Sequence, residues 1–378
     1  DKSDFLESSS YQKIFRLYEK DRNGHSPSVV TSYYENGLIK QYLEGLDGRA
    51  CGRFIEWHSN GKRKLQVRVL SGTLDLDEKS KMTWMFDGPS FAYNLQGNVI
   101  AHIPYSKGFI EGTTQFFYEN GKLEREALFT RGKRHGTECI WDSKGMLLER
   151  TEFRDDERDG PSIGYYPGTS TVAWVEEWNR GLLQSAEYFD QNSLVLATIQ
   201  DGNGNRCIFD EFGLSETHEY KNGKQEGEVL IFDADNTILR RTCFKDGLKQ
   251  GEELYYWNNV KDASLPNPLP KLSISWNKGV IQGIVKTWYD NGIQESQKEM
   301  NQNEKHGLLT AWYRDGSLMM IEEYEHGKLK RGDYHKKGEV VAYSRIRDNK
   351  GFATLFDSEG HFLQKVQYQD GIPSDNEV

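Results

Sequence analysis

Glycines recur along this chain at an interval of 24 residues, and this periodicity restricts the fold more than any other feature. The interval separates Gly88, Gly112, Gly136 and Gly160, and it returns between Gly227 and Gly251 and between Gly283 and Gly307. After many of these repeat-start glycines a second glycine follows at nine residues, and in several repeats a third follows at 20 residues. A fixed period of this length is typical of repeat proteins, in which each repeat buries its surface against its neighbours.

Aromatic side chains keep the same phase as the glycines. A first series stands five residues after the repeat-start glycine, at Trp57, Tyr93, Phe117, Trp141, Tyr165, Phe209, Phe232, Tyr256, Trp288, Trp312 and Phe356. A second series lies three residues before the later glycine, at Tyr105, Phe129, Trp178, Tyr220, Phe244, Trp276, Tyr324 and Tyr368. We expect the first series to form a structural ladder across neighbouring repeats, so that a thin sheet makes its own core.

Each repeat is predicted to be one β-hairpin. Its first strand ends at a turn such as Asn36-Gly37, Asn120-Gly121 or Asp315-Gly316, and such dipeptides supply the positive φ angles that a tight turn needs. The second strand then ends at the later glycine. We therefore predict an all-β fold, an elongated, twisted single antiparallel sheet of tandem hairpins of the solenoid type. Only 9–22 suggests helical periodicity, and a short capping helix is expected there.

The repeats divide the chain into three parts. We expect an N-terminal cap segment at 1–27, about fourteen hairpin repeats over 28–371 and a C-terminal tail at 372–378. Two insertions, near 73–84 and near 258–270, interrupt the repeats. Insertions in a solenoid map to loops and often to the binding side, and a tolerated surface loop is the alternative interpretation of each. The candidate partner-contact residues in these loops are Asp75, Asp77, Lys79, Leu265, Pro266 and Pro268.

The charge balance restricts the partners. The chain of 378 residues carries a net charge of −10 at pH 7, so nucleic acid is not expected as a partner and neither is a membrane surface. Hydrophobic residues make up only 36%, but aromatic residues reach 12%, and disordered chains are poor in aromatic residues. The chain begins at Asp1 rather than Met, which slightly favours an exported or cell-envelope location over a cytoplasmic one and leaves the compartment open.

The sequence gives no pattern of catalytic or metal-binding residues. Cys51, Cys139, Cys207 and Cys243 include no C-x-x-C pair. The last two lie three predicted strands apart, about 14 Å, which is too far for a disulfide. We therefore expect free thiols, and we interpret histidines that precede a repeat-start glycine as turn residues. No enzymatic activity, no cofactor and no metal site are predicted.

Two repeats show a resemblance to a known family. Gly112-Thr-Thr-Gln-Phe-Phe-Tyr-Glu-Asn-Gly121 and Gly283-Ile-Val-Lys-Thr-Trp-Tyr-Asp-Asn-Gly292 resemble the variant MORN repeats of bacterial YwqK-type proteins, and the resemblance extends over about 28–371. It implies an elongated twisted sheet of hairpins and a role in protein interaction. Some members of the family are regarded as antitoxins, so an antitoxin-like neutralisation of a partner protein is also implied. The chain departs from the pattern at Ser193, Asn236 and Asn259, which replace the mid-repeat glycine.

We expect this protein to be a non-enzymatic protein-binding or scaffolding surface. Tyr and Trp on a rigid sheet are contact groups of the kind enriched at binding hot spots. The alternative function is binding of an extended glycan or cell-wall polymer through the aromatic ladder. A purely structural or self-assembling role is also open, in which terminal hairpins pair edge to edge. The protein is accordingly expected to be a monomer or an edge-paired oligomer with a protein partner.

Overall fold

The computed structural model describes residues 14–18, 20–210, 212–258 and 268–374. Within these residues the protein is all-β, and its 33 described strands belong to an antiparallel sheet of tandem hairpins, so the predicted fold class is confirmed. The chain forms two compact units, Asp1–Leu194 and Val195–Val378. In both units the described pairings join strands that are consecutive along the chain or separated by one two-residue strand.

The first unit holds the described strands β1 to β16 and one short helix, α1. Their bounds are β1 (Ile14–Tyr18), β2 (Pro27–Tyr33), β3 (Ile39–Leu46), β4 (Arg49–Trp57), β5 (Arg63–Ser71), α1 (Glu78–Lys81), β6 (Met85–Phe86), β7 (Gly88–Tyr93), β8 (Val99–Ser106), β9 (Phe109–Ile110), β10 (Gly112–Phe117), β11 (Leu123–Thr130), β12 (Lys133–Trp141), β13 (Leu147–Arg154), β14 (Glu157–Tyr165), β15 (Val172–Asn179) and β16 (Leu182–Phe189).

The second unit holds the described strands β17 to β33. Their bounds are β17 (Val195–Gln200), β18 (Asn203–Phe209), β19 (Leu214–Lys221), β20 (Lys224–Phe232), β21 (Ile238–Lys245), β22 (Leu248–Lys249), β23 (Gly251–Tyr256), β24 (Pro270–Asn277), β25 (Val280–Trp288), β26 (Gln294–Asn301), β27 (Glu304–Trp312), β28 (Leu318–Glu325), β29 (Lys328–Tyr334), β30 (Ser344–Arg347), β31 (Lys350–Phe356), β32 (Phe362–Gln369) and β33 (Ile372–Pro373).

The turns within a repeat differ from the prediction in one respect. The glycine takes a positive φ, as at Gly121 (φ 80), but the asparagine before it does not. Asn120 instead uses its side-chain oxygen to accept a hydrogen bond from the Lys122 N–H at 3.0 Å. The expectation that both residues of the Asn-Gly dipeptide adopt positive φ is therefore wrong. These turns contain a β-bulge, seen between Phe116 and Phe117, and a single left-handed residue suffices in a hairpin turn of this kind.

The turns between repeats use two left-handed residues. Lys107 (φ 50) and Gly108 (φ 88) are an example, and this type I′ geometry matches the twist of hairpin strands. Two of the residues that replace the mid-repeat glycine, Ser193 (φ 65) and Asn236 (φ 59), also keep the left-handed conformation. The third, Asn259, lies outside the described residues. The backbone path of the repeat therefore persists at these two substituted positions.

The N-terminal segment contains a strand where a helix was expected. Strand β1 pairs antiparallel with β2 along its whole length, so the predicted capping helix over 9–22 is wrong for 14–18. The edge of β2 offers a row of backbone donors and acceptors to the incoming chain, and this pairing overrides a weak helical periodicity. The rest of the predicted helix is only partly described, since 9–13 and 19 lie outside the described residues.

The core lies on one side of the strands, at the second residue after the repeat-start glycine. This position is buried in ten repeats, at Phe54, Ser90, Thr114, Glu138, Ser162, Val229, Glu253, Val285, Leu309 and Ala353. Side chains alternate between the two faces of a strand, so the residue directly after the glycine points to the opposite face. The buried position is polar or acidic in several repeats, and the sheet therefore needs internal hydrogen bonds as well as apolar packing.

The insertion near 73–84 folds onto the first unit. Asp77 caps α1 and accepts a hydrogen bond from the Ser80 N–H at 2.9 Å. Leu76 and Trp84 are buried in one cluster with Phe54 of β4, and the Trp84 ring centroid lies 4.8 Å from that of Phe54. The insertion therefore contributes to the core as well as to the surface. Along the described chain, no helix has the length and apolar character needed to span a membrane.

Candidate binding surface

The aromatic ladder residues occupy equivalent but only half-buried positions. All eleven residues from Trp57 to Phe356 are partly exposed and none is fully buried. Some of their rings contact aromatic rings of the same hairpin, with centroid distances of 6.5 Å for Phe91–Tyr93 and for Phe356–Phe362. Stacking between ladder residues of successive repeats stays a prediction. The partial exposure leaves ring edges available at the surface.

The residue directly after the ladder aromatic has a role that the sequence analysis missed. In several repeats it is a tyrosine whose hydroxyl donates a hydrogen bond to a backbone carbonyl of the next repeat. The bonds join Tyr118 to Trp141 (2.8 Å), Tyr166 to Phe189 (2.7 Å), Tyr289 to Trp312 (2.9 Å) and Tyr313 to His335 (2.6 Å). We call these tyrosines the clamp tyrosines. Each of them ties its own hairpin sideways to the next one, and consecutive aromatic pairs such as Trp288-Tyr289 are the sequence signal for them.

Burial changes the chemistry of the clamp tyrosines. Removal from water raises the pKa of Tyr289 and of Tyr313 to about 12. The neutral hydroxyl is the form that donates the hydrogen bond, so the raised pKa extends the pH range over which these two hydroxyls can donate above pH 10. Where aspartate replaces the tyrosine, as at Asp142, the side chain accepts hydrogen bonds from Lys144 N–H (2.9 Å) and Met146 N–H (2.8 Å) of its own turn.

A cation stacks on an aromatic ring beside several repeat-start glycines. Lys249 Nζ lies 4.6 Å from the centroid of the Trp276 ring, and Trp276 stands directly opposite Gly251 on the neighbouring strand. Lys249 also forms an ion pair at 2.8 Å with the buried Glu253. Burial alone would raise the pKa of Glu253, but the hydrogen bonds from Lys249 and Thr242 have the larger effect and lower it. Equivalent stacks join Arg134 to Phe153, Arg158 to Trp178 and Lys305 to Tyr324.

Several repeat-start glycines leave room for a glutamate of the preceding strand. A Cβ at Gly227 (φ 112) would collide with the Glu219 carboxylate, and that carboxylate accepts the Glu228 N–H at 2.9 Å. Glu44 accepts the Arg53 N–H at 2.7 Å beside Gly52 in the same way. Burial alone would raise the pKa of Glu44, but the hydrogen bonds from Arg53 have the larger effect and lower it. The hydrogen bond from the Glu228 N–H lowers the pKa of Glu219 in the same way. The positive φ thus requires glycine, and the missing side chain also leaves room for the carboxylate that lies over it.

The face opposite the core carries exposed apolar side chains in the second unit. Leu308 directly follows Gly307 and is 50% exposed, and Ile284 follows Gly283 in the same way. Leu308 stands opposite Glu323 on the neighbouring strand. The exposed Ile321 stands opposite Thr310, two residues farther along the same pair of strands. Leu308 and Ile321 are therefore diagonal neighbours on one face. We call Ile284, Leu308 and Ile321 the outer-face residues.

The candidate partner-contact loops are described only in part. Asp75 pairs with Arg16 of β1, and Asp77 is the cap of α1, so both carboxylates have structural contacts within the chain. Lys79 is exposed and Pro268 is half-buried. Leu265 and Pro266 lie outside the described residues. Partner contact by these loops stays a prediction.

A polar cleft of about 470 Å³ in the second unit is lined by several ionisable groups. It is lined by His306, Glu323, Tyr324, Glu325, Lys330, Arg331, Asp348 and Asn349 together with Gly307. Glu325 forms an ion pair with Lys330 at 2.8 Å, which lowers the pKa of Glu325. A carboxylate with a lowered pKa remains charged and is a poor proton donor at neutral pH.

The cysteines are free thiols, as expected. Burial raises the pKa of Cys207 to about 12, so this thiol is held in its unreactive, protonated form. Within the described ranges, no group of three or more His, Cys, Asp or Glu side chains is placed to hold a metal ion. The absence of enzymatic activity and of cofactors stays a prediction.

Comparison with known proteins identifies the repeat type in one part of the chain. The family described as the MORN repeat variant matches residues 110–130, which contain the whole of β10 and β11. No curated protein matches the chain. Among solved structures, the chain is similar to a porin-like protein from Bacteroides uniformis ATCC 8492, with 8% sequence identity, coverage of 63% of this chain and 90% of that chain, and a TM-score of 0.16. A TM-score this low supports no argument about fold or function.

Proposed function

We propose that this protein is a non-enzymatic repeat scaffold that binds another protein through the exposed face of its sheet. The outer-face residues Ile284, Leu308 and Ile321 support this proposal. They are exposed apolar side chains on a face that core packing does not use. Exposed apolar side chains that lie together on a regular face are typical of protein interaction sites.

The clamp tyrosines give this surface its rigidity. Tyr289 and Tyr313 tie three successive repeats together, and two of these repeats carry the outer-face residues. A surface held in one conformation loses little entropy on binding, so weak contacts can add up to useful affinity. Glu323 beside Leu308 pairs with Arg331 at 3.9 Å, so charges of both signs border the apolar residues.

We further propose that the repeats are of the YwqK type and that binding by this chain neutralises its protein partner. An antitoxin-like protein would act by covering a surface of its partner, and a rigid sheet face is suited to such blocking. Neutralisation needs only binding, so it requires no catalytic group in this chain.

A photo-crosslinking residue at Leu308 of the full chain tests the proposal. In extracts of the source organism we expect the probe to capture a defined protein, and the purified partner should bind the full chain in solution. The variant I284S/L308S should weaken that binding by at least about tenfold. The matched control is Leu363→Ser, which removes an exposed apolar side chain from β32. Equal binding by I284S/L308S and the control, or a wild-type chain that binds no captured protein, would contradict the proposal.

A further inference from the structure

We infer that Lys298 of β26 is a nucleophilic amine that forms a Schiff base with small apolar aldehydes, and that it is therefore a covalent modification site of the second unit. The inference goes beyond the proposed function, because it concerns the core face of the sheet and not the outer-face residues. It rests on the position of Lys298 in the sheet, on the lack of a partner for its amine and on the cation beside it.

Lys298 lies on the core face between two buried apolar residues. It stands directly opposite Val285 of β25 and directly opposite Leu309 of β27, and these two residues are 5% and 7% exposed. Residues directly opposite each other on paired strands share one face, so the stem of Lys298 has an uncharged, apolar neighbour on both sides. A lysine can bury its stem in this way while its amine stays close to water.

The amine of Lys298 is not stabilised by a partner. Among the residues that the structure describes, no hydrogen bond and no ion pair engages Lys298 Nζ. This nitrogen is also not one of the fully enclosed polar atoms, so a small reagent can reach it. The half-buried Lys249 differs, because it forms an ion pair with Glu253 at 2.8 Å. Lys298 is thus held in partly apolar surroundings without the carboxylate that would favour its charged form.

The charged groups near Lys298 are a cation and a carboxylate that is already engaged. Lys305 of β27 is the charged group that acts on the amine, and its Nζ lies 4.5 Å from the centroid of the Tyr324 ring. Glu322 of β28 lies on the far side of Leu309, and its carboxylate accepts the Tyr324 hydroxyl at 2.9 Å. The positive charge of Lys305 therefore acts on Lys298 without being offset by an ion pair.

These surroundings favour the neutral, nucleophilic amine. Burial lowers the pKa of Lys298, and the positive charge of Lys305 lowers it further. A lysine that is desolvated or close to a second cation is activated as a nucleophile, and carbonyl compounds are typical reagents for such an amine. The apolar neighbours Val285 and Leu309 favour an aldehyde with an apolar chain over a charged one.

The reaction of Lys298 with an aldehyde is a condensation. The lone pair of the neutral Nζ attacks the carbonyl carbon, and a C–N bond forms as the π bond of the carbonyl group breaks. The carbonyl oxygen then leaves as water with both protons of the amine, and a C=N double bond forms. The step needs no oxidant or reductant, and water reverses it.

Reductive trapping with butanal on the full chain tests the inference. Sodium cyanoborohydride reduces each imine to a stable secondary amine, and peptide mass spectrometry then measures the rate of modification at each lysine. At pH 7 we expect Lys298 to react at least about threefold faster than Lys286. Lys286 is the matched control, because it is also half-buried, lies on the strand paired with β26 and points to the opposite face from Val285.

Three variants change the surroundings of the amine or serve as their control. Lys305→Gln removes the neighbouring cation and should slow the modification of Lys298 by at least about twofold. Lys365→Gln is the control, because Lys365 also stacks on an aromatic ring, at 4.2 Å from the Phe352 centroid, and its removal should leave the rate at Lys298 unchanged. Leu309→Glu places a carboxylate directly opposite Lys298 and should also slow the reaction. If Leu309→Glu does not fold, the comparison of the two lysine variants decides.

Either of two results would overturn the inference. The first is modification of Lys298 at the same rate as Lys286 or more slowly. The second is the same rate at Lys298 in Lys305→Gln as in the wild-type chain and in Lys365→Gln. The proposed scaffold function is tested separately, because capture of a partner at Leu308 does not depend on Lys298.

Discussion

Replacement of Tyr313 by Phe is the most direct test of the clamp tyrosines. Tyr313 is 0% exposed, and its hydroxyl donates to the His335 carbonyl at 2.6 Å. His335 is itself buried, so water cannot replace the lost donor. A buried carbonyl left without a partner costs about 1–3 kcal/mol. We expect Tyr313→Phe to lower the free energy of unfolding by about 2 kcal/mol, which is roughly a 30-fold change in the unfolding equilibrium.

The effect of Tyr313→Phe should be local. In a tandem repeat each hairpin is coupled mainly to its neighbours, so backbone hydrogen exchange should accelerate in β27, β28 and β29 and remain unchanged in β18 and β19. Urea unfolding followed by tryptophan fluorescence measures the total change in free energy. Tyr343→Phe is the control, because Tyr343 is exposed. If the two variants unfold at the same urea concentration, the hydrogen bond to His335 does not stabilise the fold.

Two further predictions follow from the same contacts. Gly251→Ala should lower the free energy of unfolding by about 1–2 kcal/mol, because φ is 83 and the space around this glycine is open. Gly227→Ala should lower it by about 3 kcal/mol, because the added Cβ also displaces the Glu219 carboxylate from the Glu228 N–H. Urea unfolding of both variants checks this order, and equal costs would contradict the role of the carboxylate. Burial raises the pKa of Tyr289 and of Tyr313 to about 12 from the ordinary value of 10.0. The stability that these two hydroxyls contribute is therefore complete below pH 10, where the unfolded chain also keeps its protons. It is lost as the pH rises through about 12. A series of urea midpoints against pH should therefore fall more steeply for wild type than for the double Tyr→Phe variant over this range.

The strand architecture could be predicted from the sequence because its signals are local. A glycine that needs a positive φ, such as Gly121, marks its own turn regardless of what lies next to it. The phase between glycines and aromatic residues then sets the strand lengths, and the all-β fold follows. The N-terminal strand β1 was not predictable in this way, because it is formed by pairing with the edge of β2 rather than by its own sequence pattern.

The clamp tyrosines were missed because their partners are distant in sequence. Tyr118 and Trp141 are 23 residues apart, and a side chain directly before a turn can either cross to the next repeat or remain in its own turn. Asp142 occupies the same slot as Tyr118 and folds back on its own turn. The outcome depends on the length of the side chain and on whether it ends in a hydroxyl donor. It can be seen only in a structure that places adjacent hairpins side by side.

We expect binding chemistry at the positions that the repeat leaves exposed and variable. The positive φ fixes the repeat-start glycine, whereas burial restricts the second residue after it to side chains that pack or hydrogen-bond inside the sheet. The residue between them points away from the core and is free to vary, and it is Thr113, Pro161, Glu228 or Leu308 in different repeats. Periodicity detects what is constant along the chain. A surface that recognises one partner must differ from repeat to repeat, so the binding site has to be sought among the residues that break the pattern.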